Sequence, residues 1–389
     1  MTEWVEKKIS ELGNVVGGAT PPTKDESNYL NGTIAWITPK DLAGLMGRYI
    51  SYGERNITEN GLRGCSAQLM PKHSILFSSR APIGYIAISN NVVCTNQGFK
   101  SIVPNSNTDY MFLYYLLKYN KDKIEAMGSG TTFKEVSGTT MKNIVLRVPS
   151  SLNVQKRIAS ILSSIDDKIE ENNAINHNLQ QQAQTIFTKW FIGKNIGFKD
   201  VSLSTLMSYA GGSQPPASEF IAAPRDGYVR FVQIRDYETD GHVTYIPISS
   251  KNKLCEETDI MIARYGASLG RICFGLNGAY NVALAKVFPK KPYYREFLRC
   301  YLSSRDFYEG INNRGGRSAQ AGFNESDIRS FILSFPCDDV LVREFENVAS
   351  PIFAQRLSLL KENRKLVGIR DTLLPKLMSG EIDVSEVKI

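Results

Sequence analysis

The side chains that could carry out catalysis are few in this 389-residue chain. Metal or disulfide chemistry needs cysteines and histidines at short spacing, and the sequence contains no C-x-x-C pair. Three scattered histidines also fit no Ser/His/Asp or Cys/His arrangement. We therefore expect reduced, mostly buried thiols, with no catalytic residue and no metal in this chain. The groups concerned are Cys65, Cys94, Cys255, Cys273, Cys300, Cys337, His73, His177 and His242.

Motifs for nucleotide-driven or methyl-transfer chemistry are missing as well. No segment matches the G-x-x-x-x-G-K-[ST] pattern of ATP-binding loops. The pairs Pro21-Pro22 and Pro215-Pro216 lack the Asn/Asp-Pro-Pro-aromatic context of amino-methyltransferases, and no Gly-rich turn for S-adenosylmethionine is present. Asp166-Asp167-Lys168 resembles part of a nuclease site, but its place within a long helical segment predicts a solvated helix face.

Arginine, lysine and side-chain amides in polar loops remain as groups with recognisable chemistry. Cations bind phosphate, and Arg can pair with guanine, and Asn or Gln with adenine, through two hydrogen bonds. The net charge of +7 favours an anionic partner. It is concentrated in two blocks, +4 in residues 1–150 and +3 in 196–337, whereas 151–195 carries +1 and 338–389 carries −1. The candidates are Lys40, Arg80, Asn96, Gln97, Thr132 and Lys134 in the first block and Arg235, Arg264, Arg271, Asn281, Arg314, Arg317 and Gln320 in the second.

Each candidate also has a purely structural interpretation. Asn96 and Asn281 could cap turns, and Arg80 could bridge to a carboxylate. The pairs Gly17-Gly18 and Gly211-Gly212 predict tight turns rather than phosphate contacts. The segment 312–317 is the strongest candidate, because it is basic, rich in glycine and carries base-reading side chains.

An internal duplication organises the chain. Gly17 to Pro22 recurs as Gly211 to Pro216, and Ile34 to Asp41 recurs as Val229 to Asp236. Farther along, Asn96 corresponds to Asn281 and Pro149 to Pro336, and the offset then stays constant along the helical segments that follow. Within each copy, short β-rich runs alternate with Gly, Pro and Asn, and one helix is predicted at 111–119 and again at 295–303. Each copy is therefore a domain followed by an arm.

The arms show hydrophobic positions spaced alternately by four and three residues, which predicts the seam of a coiled coil. An arm from about 155 to 190 would be roughly 54 Å long, more than one turn of B-DNA. Polar residues in the seam either fix its register or are exposed where the seam slides. The seam positions are Ile158, Leu162, Ile165, Ile169, Asn172, Asn176, Leu179, Ala183, Ile186 and Trp190, then Phe345, Ala349, Ile352, Arg356, Leu359, Asn363, Leu366, Arg370, Leu373 and Leu377.

We predict an α+β protein in which two mixed α/β domains are separated by a two-helix antiparallel coiled coil, with an internal pseudo-two-fold repeat. The expected boundaries are 1–150 for the first domain, 151–195 for the central arm, 196–337 for the second domain and 338–389 for the C-terminal arm. The first residues are charged where a signal peptide is apolar, and no apolar run reaches the roughly 18 residues of a membrane span. We expect a cytoplasmic protein without a membrane partner.

Several segments, taken in order, resemble the specificity subunits of type I restriction-modification enzymes. The likeness covers nearly the whole chain. It is carried by Ser79 to Gly84, Thr95 to Gly98, Gly130-Thr131-Thr132, Ile186 to Phe191 and Leu373 to Glu381. The second copy departs from the pattern, since Tyr265 to Ser268 replaces Arg80 to Ile83 and Arg317-Ser318-Ala319 replaces Gly130-Thr131-Thr132.

The resemblance implies two target recognition domains, each reading half of an asymmetric, bipartite site in double-stranded DNA. It also implies arms that set the half-site spacing and bind two methyltransferase subunits, which methylate adenine at N6 with S-adenosylmethionine. ATP and Mg would serve the endonuclease subunits. Trp190, Phe191 and Leu374 are the residues expected to face partner subunits, unless they pack within this chain. The rival interpretations are a coiled-coil scaffold with protein-binding basic domains and a stand-alone enzyme.

Overall fold

The computed structural model describes residues 3–45, 47–130, 134–313 and 322–384. The chain divides into two compact units, unit 1 with Met1–Glu171 and Arg364–Ile389, and unit 2 with Asn172–Asn363. The helices are α1 (Ile9–Leu12), α2 (Pro39–Ala43), α3 (Glu59–Arg63), α4 (Tyr110–Tyr119), α5 (Lys121–Ala126), α6 (Gly138–Asn143), α7 (Leu152–Phe191), α8 (Arg295–Leu302), α9 (Arg305–Asn312), α10 (Glu325–Arg329) and α11 (Val340–Ser379).

The strands alternate with these helices in both units, as an α/β mixture requires. Those of unit 1 are β1 (Trp4–Lys8), β2 (Gly13–Gly17), β3 (Ala35–Ile37), β4 (Tyr49–Ile50), β5 (Ile75–Ser79), β6 (Ile83–Ser89), β7 (Val93–Thr95), β8 (Lys100–Pro104) and β9 (Val145–Pro149). Those of unit 2 are β10 (Phe198–Ser202), β11 (Met207–Gly211), β12 (Tyr228–Val232), β13 (Thr244–Pro247), β14 (Leu254–Cys255), β15 (Met261–Ala263), β16 (Ile272–Cys273), β17 (Gly278–Tyr280), β18 (Leu284–Pro289) and β19 (Ile332–Pro336).

Unit 1 is built on a five-stranded sheet of order β2-β8-β5-β6-β4. β1 pairs antiparallel with β9, so the start of the unit lies against the strand that precedes α7. β3 pairs parallel with β7. The helix α4 supplies six consecutive buried residues, 112–117, to the core between this sheet and α7. Its position is fixed at the start, because Asp109 caps the Phe112 N–H at 2.8 Å and donates its own N–H to Gln155 of α7 at 3.0 Å.

Unit 2 repeats the main strand pairings of unit 1. β10 pairs antiparallel with β19, as β1 does with β9, and β11 pairs with β18, as β2 does with β8. β12 and β17 are parallel neighbours, as β3 and β7 are. The predicted helix pair is confirmed as α4 and α8, and the predicted closing strands end at Pro149 and Pro336. The same order of pairing in both units accounts for the recurring sequence motifs.

Within each unit, segments of α7 and α11 pack against one another in opposite directions. In unit 2, Asn172 bonds to Asn363, Asn176 bonds to Arg356, and Phe187 contacts Phe345, so contacts that advance along α7 go backwards along α11. In unit 1, Asp166 pairs with Arg370 at 2.8 Å, and Ile158, two turns earlier on α7, lines a pocket with Gly380, directly after α11.

The asparagines of the predicted seam are buried rather than exposed. Asn172 is fully buried, and Asn176 and Asn363 are nearly so. Asn172 Nδ2 donates to Asn363 Oδ1 at 2.9 Å, and Asn363 Nδ2 donates to Asn173 at 2.8 Å. The Nδ2 groups of both asparagines thus find acceptors in the seam, which lowers the cost of burying them, whereas the buried Oδ1 of Asn172 has no partner among the described residues.

The buried stripe departs from the predicted seam near the domains. Phe187 is buried where Ile186 was expected, and Phe353 where Ile352 was expected. The predicted neighbours remain half-buried, because a helix that packs on both a second helix and a domain buries a wider stripe than an isolated pair.

Asp166 corrects a further expectation, since it is buried rather than on a solvated face. Its carboxylate accepts hydrogen bonds from Tyr115 at 2.7 Å and from Arg370 at 2.8 Å. Asp166 therefore has a structural role in unit 1.

Candidate nucleic-acid interface

The same capped turn follows a strand in each unit and displays a basic side chain. After β3, the Thr38 N–H donates to Asp41 Oδ2 at 2.7 Å, and after β12 the Gln233 N–H donates to Asp236 Oδ2 at 2.9 Å. The side chain between cap and carboxylate points outwards in both cases: Lys40 is 78% exposed and Arg235 is 52% exposed. The capping box thus holds a cation at the equivalent position of each unit.

An asparagine lies beside each turn, at the end of the neighbouring parallel strand. The Asn96 N–H donates to Ile37 at 3.0 Å, and the Asn281 N–H donates to Val232 at 3.1 Å. The second glycine of each Gly-Gly pair packs on this strand end. A Cβ added at Gly18 would lie 2.0 Å from the Asn96 carbonyl oxygen, and one at Gly212 would lie 2.2 Å from that of Asn281. These glycines are required by close backbone packing, which the predicted tight turns did not anticipate.

The described candidates of unit 1 gather around Gly98. The Gly98 N–H donates to Asn96 Oδ1 at 2.9 Å, and its carbonyl accepts from the Ser79 N–H, directly before Arg80, at 2.7 Å. Gln97 accepts a hydrogen bond from the Thr20 hydroxyl. Asn96 does cap a turn, so the structural alternative holds for its carbonyl oxygen.

Carboxylates neutralise most cations of this cluster. Glu135 lies 3.7 Å from Arg80 and 3.3 Å from Lys100, and Glu54 lies 2.6 Å from Lys40. The hydrogen bond and the charge of Glu54 raise the pKa of Lys40. Arg80 does bridge to a carboxylate, as its structural alternative proposed, while Lys134 is exposed beside Glu135.

Unit 2 places Arg235, Arg264, Arg271 and Asn281 around the equivalent strand end. Two of the three arginines have a carboxylate nearby among the described residues, and Arg264 does not. Arg235 has Asp236 at 4.0 Å and Arg271 has Glu238 at 2.5 Å. Arg264 has no carboxylate within 4.0 Å among residues 3–45, 47–130, 134–313 and 322–384. Its guanidinium instead lies 5.1 Å from the ring centre of Tyr265 and donates to the Val282 carbonyl at 3.4 Å.

Unsatisfied polar atoms mark the same place in unit 2. The buried Nε of Arg264 and the buried Oδ1 of Asn281 have no hydrogen-bond partner in the described parts of the chain. The backbone brings these residues together, because the Arg264 N–H donates to Ala283 at 2.8 Å. Both atoms are buried, so they mark an internal polar gap at this strand end, beside the partly exposed remainder of the Arg264 side chain.

Not every sequence candidate can be placed. Thr132, Arg314, Arg317 and Gln320 lie outside the described residues. Among the described residues, no group of three or more His, Cys, Asp or Glu could hold a metal ion. No described helix is both long and apolar enough to cross a bilayer.

The residues predicted to face partner subunits pack largely within the chain. Phe191 is 1% exposed, with its ring 4.9 Å from Phe297 and 5.2 Å from Phe345, and Leu374 is buried in the core of unit 1. The prediction of a presented apolar surface is therefore wrong for these two residues, because both complete the core of a unit. Trp190 is half-buried against Phe345.

Sequence reasoning missed a second polar cluster, which consists of Arg48, Asp167 and Glu170. Arg48 belongs to none of the motifs that recur in both copies, and the two acids resemble ordinary solvated residues of a helix. Their pairing joins positions about 120 residues apart, and no local pattern indicates it.

Comparison with known proteins places these features in a family. A family model for the type I restriction modification DNA specificity domain matches residues 1–181. The type I restriction enzyme MjaIX specificity subunit of Methanocaldococcus jannaschii is 32% identical, over 99% of this chain and 95% of that protein. The HindI specificity subunit of Haemophilus influenzae is 22% identical, over 98% of this chain and 100% of that protein.

A solved structure supports the fold. The S subunit of a type I restriction-modification system from M. genitalium superposes with a TM-score of 0.61 at 17% identity, over 97% of this chain and 96% of that one. The matches together define a class of protein, the subunits that confer DNA sequence specificity on restriction and modification. The chain belongs to the specificity subunits of type I restriction enzymes.

Proposed function

We propose that each unit binds one half of an asymmetric, bipartite site in double-stranded DNA. The observation that carries this proposal is a shared scaffold with different side chains. The turn after β3 or β12 and the strand end beside it are built alike, yet Lys40 corresponds to Arg235, Ser79 to Arg264 and Arg80 to Tyr265. Two unlike surfaces on one framework are what two different half-sites require.

The helices α7 and α11 would form an antiparallel coiled coil related to both domains by a pseudo-two-fold axis. In this arrangement the helices set the gap between half-sites and dock two methyltransferase subunits. The support is the opposite direction of the helix contacts within each unit and the buried amides that fix their register.

Catalysis would belong to the partners. The methyltransferase subunits would supply S-adenosylmethionine chemistry at adenine N6, and endonuclease subunits would use ATP and Mg. The described residues of this chain offer binding groups, hydrogen-bonding amides and cations. We expect the complex to work in the cytoplasm, where its DNA is.

The test is binding and methylation by the assembled methyltransferase. Methylated adenines mapped in the source genome give the two half-sites and their gap, and a labelled duplex with that sequence is then offered to the complex. We expect retention that an excess of random duplex competes poorly. Equal competition by random DNA would refute sequence recognition, and methyl transfer by this chain alone would refute the division of labour.

A further inference from the structure

Arg48 is held at both ends within unit 1. It directly precedes β4, and its carbonyl accepts from the Ile88 N–H of β6 at 2.7 Å, so its backbone belongs to the edge of the five-stranded sheet. Its side chain is only 4% exposed. The residue therefore runs from the sheet into the interior of the unit.

The guanidinium of Arg48 forms ion pairs with two carboxylates of α7 that lie one turn apart. Nε donates to Glu170 Oε1 at 2.9 Å, and Nη2 donates to Asp167 and, at 3.3 Å, to Glu170 Oε2. The Arg48 N–H also donates to Glu170 Oε1 at 3.0 Å. A planar fork with several fixed donors restricts the angle as well as the distance between sheet and helix.

The neighbouring acid of α7 fixes other elements at the same level. Asp166 accepts from Tyr115 of α4 and from Arg370 of α11. Three acids on one helix, Asp166, Asp167 and Glu170, thus bind the sheet edge, α4 and α11.

Unit 2 lacks this anchor. At the constant offset of the repeat, Asp167 corresponds to Ala354 and Glu170 to Leu357, which have no charge. Both residues line a cavity of about 310 Å³ together with Phe353, Arg299 and Phe274. At this level of α11 the helix contributes uncharged side chains, and the ionic contacts of the second domain with α11 lie elsewhere, between Arg295 and Glu346 at 3.3 Å and between Glu257 and Lys361 at 2.5 Å.

We propose that Arg48 is a positioning residue that fixes the orientation of the first recognition domain on α7 and thereby limits the gap between half-sites that the protein accepts. This inference rests on the proposed function. A gap longer by one base pair displaces a half-site by about 3.4 Å and turns it by about a tenth of a turn. The first domain can reach a displaced half-site only if its orientation on α7 changes.

The test compares duplexes whose two half-sites are separated by the native gap or by one base pair more or less. With the assembled methyltransferase, the wild type should prefer the native gap. Glu170→Gln and Arg48→Met should reduce that preference by about tenfold, while the preferred bases of each half-site stay the same. Arg48→Lys keeps the charge but not the several fixed donors of the guanidinium. Its preference for the native gap should lie between that of the wild type and that of Arg48→Met.

Glu171→Gln is the matched control, because it makes the same chemical change one residue away, on an exposed side chain that pairs with Lys168 of its own helix. It should keep the wild-type gap profile. If Arg48→Met does not fold, as judged by thermal unfolding, the near-isosteric Glu170→Gln decides the question.

Two results would overturn the inference. The first is a gap preference in folded Glu170→Gln that equals that of the wild type. The second is a variant that keeps the preference for the native gap but changes the bases preferred within a half-site, because Arg48 would then act in base recognition. The gap preference of the wild type tests the proposed function separately. If the wild type accepted all gaps equally, the proposed spacing role would fail before any variant was measured.

Discussion

At the scale of single residues, the two units differ in how the arginine beside the strand end is compensated. Arg80 has Glu135 at 3.7 Å, while Arg264 lies on Tyr265 and has no carboxylate within 4.0 Å in the described ranges. A cation without a counter-ion gains more from an approaching phosphate or guanine than one already paired. Arg264 is therefore the strongest single candidate for a DNA contact among the described residues.

Replacing Arg264 with Ala should weaken binding of the cognate duplex by about 1–3 kcal/mol, because a base or phosphate contact is lost. Binding titrations on duplexes altered in one half-site at a time measure the effect. If Arg264 reads a base, the loss should disappear on duplexes already changed at that base, and Arg264→Lys should not restore it. Arg305→Ala, on an 86% exposed side chain of α9, is the control and should bind normally.

Replacing Glu135 with Gln should strengthen DNA binding. The change releases Arg80 and Lys100 from a shared carboxylate, so the salt dependence of binding should steepen by about one unit of slope for each new phosphate contact. Binding constants at several salt concentrations give that slope.

The control for this variant is Glu381→Gln, which releases Lys376 of α11, a residue outside the set of candidate DNA contacts. Equal gains in both variants would mean that net charge alone acts and that Glu135 does not compensate a DNA-binding cation.

At the scale of elements, the end of α7 is a core element of unit 2. Phe191 lies among Phe187, Phe297 and Phe345. Phe191→Ala should lower the free energy of unfolding of the isolated chain by about 3–5 kcal/mol, since it leaves a cavity among aromatic rings. Denaturant unfolding measures it.

Ile192→Ala is the neighbouring control, because Ile192 is 47% exposed and its loss should cost less than about 0.5 kcal/mol. A normal stability for Phe191→Ala, together with lost binding of methyltransferase subunits, would restore the original assignment of this residue to a partner surface.

The contact between α7 and α11 in unit 1 should depend on pH through Asp166. Burial alone raises the pKa of this carboxyl, but Arg370, Lys118 and Tyr115 outweigh it and hold the pKa below the ordinary value of 3.8. A carboxyl whose pKa is lower in the folded state stabilises above its unfolded pKa, and this contribution is lost as the pH falls through the folded pKa.

Asp166→Asn should therefore be less stable than the wild type at pH 7, and the difference should shrink as the pH falls below about 4. Unfolding free energies measured between pH 7 and pH 3 test this. Asp371→Asn, which removes the exposed second carboxylate on Arg370, should show a much smaller effect at both ends. A pH-independent difference for Asp166→Asn would mean that packing rather than charge is lost.

The arms show how far sequence reasoning reaches at this scale. Alternating spacings of four and three predicted long helices, and they form as α7 and α11, with Asn172 and Asn176 buried. The spacing could not show that Phe187 and Phe353 would take the buried positions, because an isolated seam takes no account of the domain that packs on the same helix.

At the scale of the whole molecule, the duplication in the sequence identified the parts that recur in both units. Gly18 and Gly212, and Asn96 and Asn281, occupy equivalent places because the repeat preserves backbone contacts. Features present in one copy only were out of reach: the partners of Arg48, Asp167 and Glu170, correspond to the uncharged Ala354 and Leu357 in the other copy. Repeats therefore predict a common scaffold, and the differences that give each unit its own role need coordinates.

The proposed spacing role of the helices leads to a prediction for the molecule as a whole. Inserting one heptad into both α7 and α11, at facing positions of the polar seam, preserves the a/d pattern and adds roughly 10 Å at about 1.5 Å per residue. At about 3.4 Å per base pair, the accepted gap should lengthen by about three base pairs. Each half-site should stay the same, since neither domain is touched. Methylation of a library with randomised gaps measures both properties.

A heptad inserted into α7 alone is the control and should abolish recognition, because it breaks the pairing of Asn172 with Asn363. If the double insertion changed the bases read, or left the gap as it was, the helices would not be what sets the spacing.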